Sequence, residues 1–330
     1  MSRSVRDFDE DDIRVRPGRG KSRPRSKQRP SHEDATSGVV TAVDRGRFTV
    51  TTDDDITMYA MKARELGRKG IVVGDRVDVV GDTSGDTDTQ GRIVRRGDRT
   101  TTLRRTADDV DPVERVIVAN ATQLGIVTAT ANPEPRTGLI DRALVAAYDA
   151  GLAPLLIITK PDLASPDELI ANYADLDVPA VVVQKGTAHP ELDERLRDEI
   201  TVLIGHSGVG KSTLVNTFTD AQRVTGRVNT VTGRGRHTST SAVAIPLTEG
   251  GWIIDTPGIR SFGLAHVDPS RVVGSFADLA TIIERCPRGC SHNETECALN
   301  EAREEQPALA GRIDSLQRLL AQPQTENTPE

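Results

Sequence analysis

Aromatic residues are scarce, only 3% of 330 residues, so the cores have to be built from Val, Ile, Leu and Ala. No run of about 18 apolar residues occurs, which excludes a helical membrane span. The N-terminus is charged and lacks the apolar segment of a secretory signal, so a cytoplasmic protein with no membrane partner is expected. Cysteine is rare as well. The three present lie within twelve residues of one another and cannot all pair, a clustering that favours a metal over a disulfide.

What is present divides unevenly along the chain. The apolar fraction of 36% and the length suit two or three modest domains. The net charge of −7 speaks against nucleic acid on average, but the average hides a local excess. Between Ile13 and His32 stand eight Lys/Arg and no acid, preceded by the acidic run Asp9–Asp12. Such an arm fits either phosphate neutralisation or a solvated tail without a fixed partner. Residues 1–36 show no periodicity and are expected to be a disordered basic arm.

Over 37–108 short alternating segments recur at Val39–Val43, Arg47–Thr51, Thr57–Ala60, Ile71–Val73, Arg76–Val80 and Gly91–Val94, separated by Gly-Asp and Asp-Arg-Gly turns. Five or six strands of this kind predict a small β-barrel, either an oligonucleotide binder or a spacer. From about Asp111 the pattern changes. Apolar runs at Val116–Ala119, Leu124–Thr128, Leu155–Ile158, Ala180–Val183, Val202–Ile204 and Trp252–Ile254 alternate with helical stretches such as Leu139–Ala150 and Glu191–Ile200. That alternation predicts an α/β layer over 109–266 with a mostly parallel sheet. Residues 267–330 read as helical, with Leu309, Ile313, Leu316 and Leu320 on one stripe and a frayed end from Pro323.

Three of the apolar runs lead into motifs. Gly205-His206-Ser207-Gly208-Val209-Gly210-Lys211-Ser212-Thr213 follows Val202-Leu203-Ile204 and opens a helix, the strand–loop–helix context of a phosphate-binding loop. Its glycines let backbone N–H groups approach anionic oxygens at a helix N-terminus. Lys211 is expected to reach the β- and γ-phosphates, Ser212 to ligate Mg²⁺, and Thr213 to bond near the α-phosphate. Thr159-Lys160-Pro161-Asp162 resembles the Asn-Lys-x-Asp that reads guanine. The Asp162 carboxylate can accept from N1–H and the exocyclic amine, whereas adenine offers an acceptor at N1 and is opposed. The Lys160 stem can lie over the base. Thr159 stands where Asn is usual, which loses or alters one tethering bond. Asp255-Thr256-Pro257-Gly258 follows a buried strand; Asp255 is expected to hold Mg²⁺ through water and Gly258 N–H to sense the γ-phosphate. Ile259 and Arg260 come next where a water-orienting Gln is common, so slow intrinsic hydrolysis is expected. Residues 233–241 have the length of a switch loop, with Thr238 or Thr240 as a Mg²⁺ ligand. His237 there could position water, contact RNA, or be an exposed loop histidine.

Two further features matter. The base motif precedes the phosphate loop and Asp255-Thr256-Pro257-Gly258, whereas an ordinary GTPase places it last; the chain reads as a circularly permuted GTPase. Cys286-x3-Cys290-x-His292-x4-Cys297 offers three thiolates and an imidazole, a closed tetrahedral set for one structural Zn²⁺.

These residues, together with Ile140–Ala147 (IDRALVAA) and GRGRHTSTS at 233–241, resemble the ribosome-small-subunit-dependent GTPase A family (RsgA, also called YjeQ) over roughly residues 37 to 320. The resemblance implies an N-terminal OB barrel, a permuted GTPase domain using GTP/GDP and Mg²⁺, and a C-terminal helical zinc domain. It further implies a GTP hydrolase that binds rRNA and the small ribosomal subunit and assists its late maturation, stimulated by the subunit; a monomer is expected. Two departures stand out: the outer spacings of the Cys/His pattern are each one residue short, and Val183-Gln184-Lys185-Gly186 occupies the place of the Ser-Ala that backs the base. Alternatives are a nucleotide-gated RNA-binding module in which hydrolysis is incidental, or a P-loop enzyme transferring phosphate to a small molecule.

Overall fold

The computed structural model describes residues 32–67, 70–86, 89–106, 114–224, 242–256 and 267–321. The basic arm expected at 1–36 lies almost wholly outside them.

The first five strands are β1 (Thr36–Asp44), β2 (Arg47–Thr52), β3 (Thr57–Lys62), β4 (Arg76–Gly81) and β5 (Gly91–Arg96). Their order is 1-2-3-5-4, and β4 pairs back onto β1, so the sheet closes into an OB-type barrel. Alternation drives the closure. Val40, Phe48, Val50, Met58, Ala60, Val77, Val79 and Ile93 point inward to one small core, while their neighbours face out. Gly91 is required where the strands crowd, because a Cβ there would lie 2.5 Å from a Val79 methyl. Ile71–Val73, expected as a strand, is instead a connecting segment that makes only an isolated bridge from Val73 to Val118. Its backbone is occupied elsewhere: Val72 N–H donates to the buried Asp75 carboxylate, 2.8 Å away.

A two-stranded ribbon follows, β6 (Thr102–Thr106) with β7 (Glu114–Ala119). The run Val116–Ala119 therefore forms a strand but does not join the parallel sheet. Six strands build the larger layer: β8 (Gln123–Ala129), β9 (Ala153–Thr159), β10 (Ala180–Val183), β11 (Ile200–Gly205), β12 (Val243–Pro246) and β13 (Trp252–Asp255). Their spatial order is β10-β9-β8-β11-β13-β12, all parallel except β12. Every residue of β8 is buried, as expected for a central strand covered on both faces. Helices α1 (Thr137–Ala150) and α2 (Asp167–Ala174) cover one face, and α3 (Pro190–Leu196) and α4 (Lys211–Val224) cover the other. The stretch expected as one helix from Glu191 to Ile200 stops at Leu196, because Ile200 already belongs to β11.

The sheet itself records the permutation. The chain lays down β8, β9 and β10 outward in one direction, then returns to place β11 on the other side of β8. A chain starting at β11 and joining β13 to β8 would run phosphate loop, Asp-Thr-Pro-Gly, base motif. The reversal between β8 and β11 is a topological switch point, and in open α/β sheets ligands bind there, beyond the carboxyl ends of the strands. The barrel continues the same sheet through one pair, Ala42 with Val243.

The C-terminal part is helical: α5 (Pro269–Gly274), α6 (Ala280–Ile283), α7 (Ala298–Glu305) and α8 (Ala310–Leu320). Ile313 and Leu316 are buried as the stripe predicts, but the third core position is Leu319 rather than Leu320. These helices share the α1-side core. Two arginines of α8 fix them to it. Arg312 meets Asp278 at 2.8 Å and Asp177 at 2.9 Å and stacks 4.7 Å above the Phe276 ring. Arg318 lies 3.4 Å from Asp141 and 5.4 Å from the centre of the Tyr173 ring. Burial holds the Asp141 carboxyl above the usual carboxylate range, and Arg318 opposes that shift. Among the described residues, no helix is long and apolar enough to cross a membrane.

Candidate functional site

The carboxyl end of β11 leads directly into the phosphate loop. Gly205 ends the strand where a Cβ would lie 2.6 Å from Val127 O, so the loop leaves from the centre of the sheet. Gly208 (φ 84°) and Gly210 (φ 97°) take left-handed backbone that other residues rarely adopt. His206 bonds locally, its Nδ1 3.0 Å from Ser207 O, and Val209 is buried in the α3/α4-side core. Lys211 begins α4, with Ser212 and Thr213 exposed in its first turn. The first N–H groups of a helix have no partner within it, which favours an anion at that position.

Across the parallel pair β11–β13, Asp255 stands opposite Leu203. The Thr256 hydroxyl donates to Leu203 O over 2.7 Å and ties the end of β13 to β11. Lys211 Nζ donates to Asp255 Oδ1 as an ion pair, with both side chains 12% exposed. Residues 44 positions apart are thus brought together by one strand pairing.

On the opposite side, β9 delivers the base motif. Thr159 is buried; its hydroxyl donates to Val209 O of the phosphate loop and also lies 3.1 Å from Thr128 O. The threonine at the usual asparagine position therefore ties the base segment to the phosphate loop by a short reach. Lys160 adopts φ 58°, its carbonyl accepts from the Thr130 hydroxyl at 2.5 Å, and its ammonium donates to Asn132 O. Thr130 and Asn132 were not singled out from the sequence. They follow β8 and belong to no motif; only their place at the switch point gives them this role.

A cleft opens here, between the base motif and the start of α4. Thr159, Lys160 and Asp162 line one side, Gly210, Thr213, Leu214 and Thr217 another, and the segment Val183–Thr187 with His189 a third. His189 Nε2 lies 2.8 Å from Gln184 O and the Thr187 hydroxyl donates to the same carbonyl over 3.0 Å, so this loop is curled by its own side chains. The segment noted in place of Ser-Ala therefore does wall the cleft, with Thr187 and His189 as added members. His237, Thr238, Thr240 and Gly258 lie outside the described residues, as do all of 233–241 and 257–263.

The second constellation is Cys286, Cys290, His292 and Cys297, whose ligand atoms all lie within 4.8 Å of one another. Cys286 Sγ is 3.6 Å from both His292 Nδ1 and Cys297 Sγ, and Cys297 Sγ is 3.9 Å from His292 Nδ1. Ligands at zinc's usual radii on a tetrahedron sit about 3.6–3.8 Å apart, so the spacing fits. Burial raises the thiols of Cys290, to about 12, and of Cys297, with the Glu294 carboxylate adding to the first. Gathering thiolates here is favourable around a cation. Burial also lowers His292, which keeps the imidazole in the neutral form a metal needs. One residue less in each outer spacing does not prevent the cluster from closing.

The family model described as RsgA GTPase matches residues 96–265. The small ribosomal subunit biogenesis GTPase RsgA of Chlorobaculum tepidum is 33% identical over 305 residues, spanning 87% of this chain and 98% of its own. The protein of the same name from Nitrosospira multiformis is 34% identical over 313 residues, spanning 92% and 97%. Among solved structures, YjeQ from Thermotoga maritima aligns with a TM-score of 0.63 at 27% identity, over 87% of this chain and 99% of that one. YloQ, a circularly permuted GTPase, aligns at 0.61 and 21% identity over 88% and 97%, which speaks for the fold. The permuted sheet, the phosphate loop at its switch point and the family match agree: the chain belongs to the RsgA GTPase family and hydrolyses GTP.

Proposed function

We propose that this chain is a GTPase of small ribosomal subunit biogenesis that binds the subunit through rRNA, is stimulated by it, and leaves it after hydrolysis. The observation that carries the nucleotide half is the meeting of β9, β11 and β13: Asp162 on one wall of the cleft, the phosphate loop beside it, and Asp255 paired with Lys211. In this reading Asp162 accepts from the guanine edge, Lys160 lies along the base, and Thr159 holds the phosphate loop in register with it. The N–H groups of residues 205–213 take the phosphates. The γ-phosphate competes for the Lys211 ammonium and so frees the Asp255 carboxylate. Ser212 and Asp255 are the oxygen donors that would hold Mg²⁺, a hard cation, which neutralises charge developing on the phosphate oxygens. His237, Thr238 or Thr240, and Gly258 are assigned to water positioning, Mg²⁺ and γ-phosphate sensing.

The rRNA half rests on the relatives' names, which point to small-subunit biogenesis, and on the barrel surface. Arg47, Met61 and Arg92 stand in register across β2, β3 and β5, with the Arg47 guanidinium 5.3 Å from the centre of the Tyr59 ring. A basic row beside an aromatic face suits stacked nucleotides, and the strand 2–3 face is where OB barrels take oligonucleotides. We assign 37–108 to the barrel, 109–266 to the GTPase and 267–330 to a zinc-holding helical domain in a cytoplasmic monomer. The arm at 1–36 adds charge. The test is GTP turnover with and without purified small subunits, with co-sedimentation in GDP and in a non-hydrolysable GTP analogue. Faster turnover and nucleotide-dependent binding are expected; equal rates and no co-sedimentation would overturn the proposal.

A further inference from the structure

The cysteine and histidine ligands sit on a loop that is held from outside. His292 adopts φ 67°, a left-handed conformation rare for residues other than glycine. Its carbonyl accepts from Gln317 Nε2 on α8 at 2.8 Å. Asn300 on α7 donates its Nδ2 to Glu294 O at 2.9 Å and to Thr295 O at 3.3 Å. The two amides are joined, Gln317 Nε2 to Asn300 Oδ1 at 3.1 Å, and Gln317 Oε1 accepts from Arg303, which pairs with Asp314 at 2.6 Å. Three carbonyls of the four-residue stretch His292–Thr295 are therefore fixed by two side-chain amides, and the orientation of one amide is set by an arginine.

We propose that Gln317 and Asn300 are positioning residues of the metal centre. They hold the loop in the one backbone path that turns the His292 imidazole toward the three thiols. The inference rests on the reading of the cluster as a zinc site. Neither residue offers a ligand atom to the cluster, and neither belongs to the Cys/His motif. The amide donors are what the site needs: a carboxylate at either position could accept but could not donate to the loop carbonyls. Partners that orient metal ligands typically change metal affinity 10–100-fold when removed.

The experiment measures zinc content of the whole purified protein, then its release to a chromophoric chelator under native conditions. Gln317→Leu and Gln317→Glu should both release zinc about 10–100-fold faster than the parent. Glutamate keeps the acceptor for Arg303 and lacks the donor to His292. Asn300→Asp, which keeps its shape and loses its donor, should behave alike and serves as the second readout if a Gln317 variant fails to fold. GDP binding at parental affinity reports that each variant is folded. A parent protein that holds no zinc overturns the zinc reading itself. A parent that holds one zinc, with variants releasing it within twofold of the parental rate, overturns the positioning role and leaves that reading standing.

Discussion

Replacing Thr159 by valine keeps the shape of a buried side chain and removes only its hydroxyl. That hydroxyl donates to Val209 O, the contact by which the base segment is tied to the phosphate loop. Threonine at this position is 7% exposed, so water does not readily replace the lost donor. Leaving a buried carbonyl without its partner costs about 1–2 kcal/mol. Placed on the phosphate loop, that cost weakens guanine nucleotide binding by roughly 5- to 30-fold. Titration with a fluorescent GDP analogue reads it directly. Thr159→Ser retains the donor and should bind within about twofold of the parent. GDP binding by Thr159→Val as tight as the parent's, or by Thr159→Ser as weak as the valine variant's, would deny the hydroxyl this tethering role.

Other consequences follow from the same contacts. Arg312→Ala removes the pairs to Asp278 and Asp177 and the stacking on Phe276, and should lower stability by about 1–3 kcal/mol, read as a drop of several degrees in Tm; no change would deny α8 its anchoring role. The bond from Arg312 holds the Asp278 carboxyl below its ordinary 3.8, so this contribution is complete at neutral pH and declines as pH falls from that value. Acid sensitivity of the parent should accordingly exceed that of Arg312→Ala. Removing metal by chelation should raise hydrogen exchange first around 286–297 and leave β8 and β11 protected; equal exchange in both regions before and after would contradict a structural cation. Arg47→Ala combined with Tyr59→Ala should weaken binding to small subunits about tenfold and lower the salt slope by roughly 0.7, the share of one phosphate contact.

Where a local pattern decides the outcome, the sequence was enough. Alternation marked the barrel strands, and the pattern around Gly205–Thr213 marked the strand β11, the loop and the helix α4 that are found there. The misses arise where tertiary pairing overrides local pattern. Ile71–Val73 is apolar and β-branched, yet its backbone is taken by Asp75 and by Ala119, so it joins no ladder. Val116–Ala119 looks like its parallel neighbours, yet pairs with Thr102–Thr106, a partner with a weak apolar signal. β12 has four residues and is defined by β13 beside it. Thr130 and Asn132 carry no motif; their contact with Lys160 comes from the position of β8 at the switch point. The amides of Asn300 and Gln317 look like ordinary polar helix residues until the ligand loop is seen under them.

One guanine nucleotide is proposed to span Asp162 and Lys211. Xanthine carries a carbonyl where guanine carries its exocyclic amine, so Asp162→Asn, which presents a donor there, should exchange GTP for XTP as the substrate hydrolysed. Adding Lys211→Ala should then abolish XTP turnover, because both side chains serve the same molecule. Hydrolysis of GTP at the parental rate by Asp162→Asn, or XTP turnover that persists without Lys211, would contradict the account.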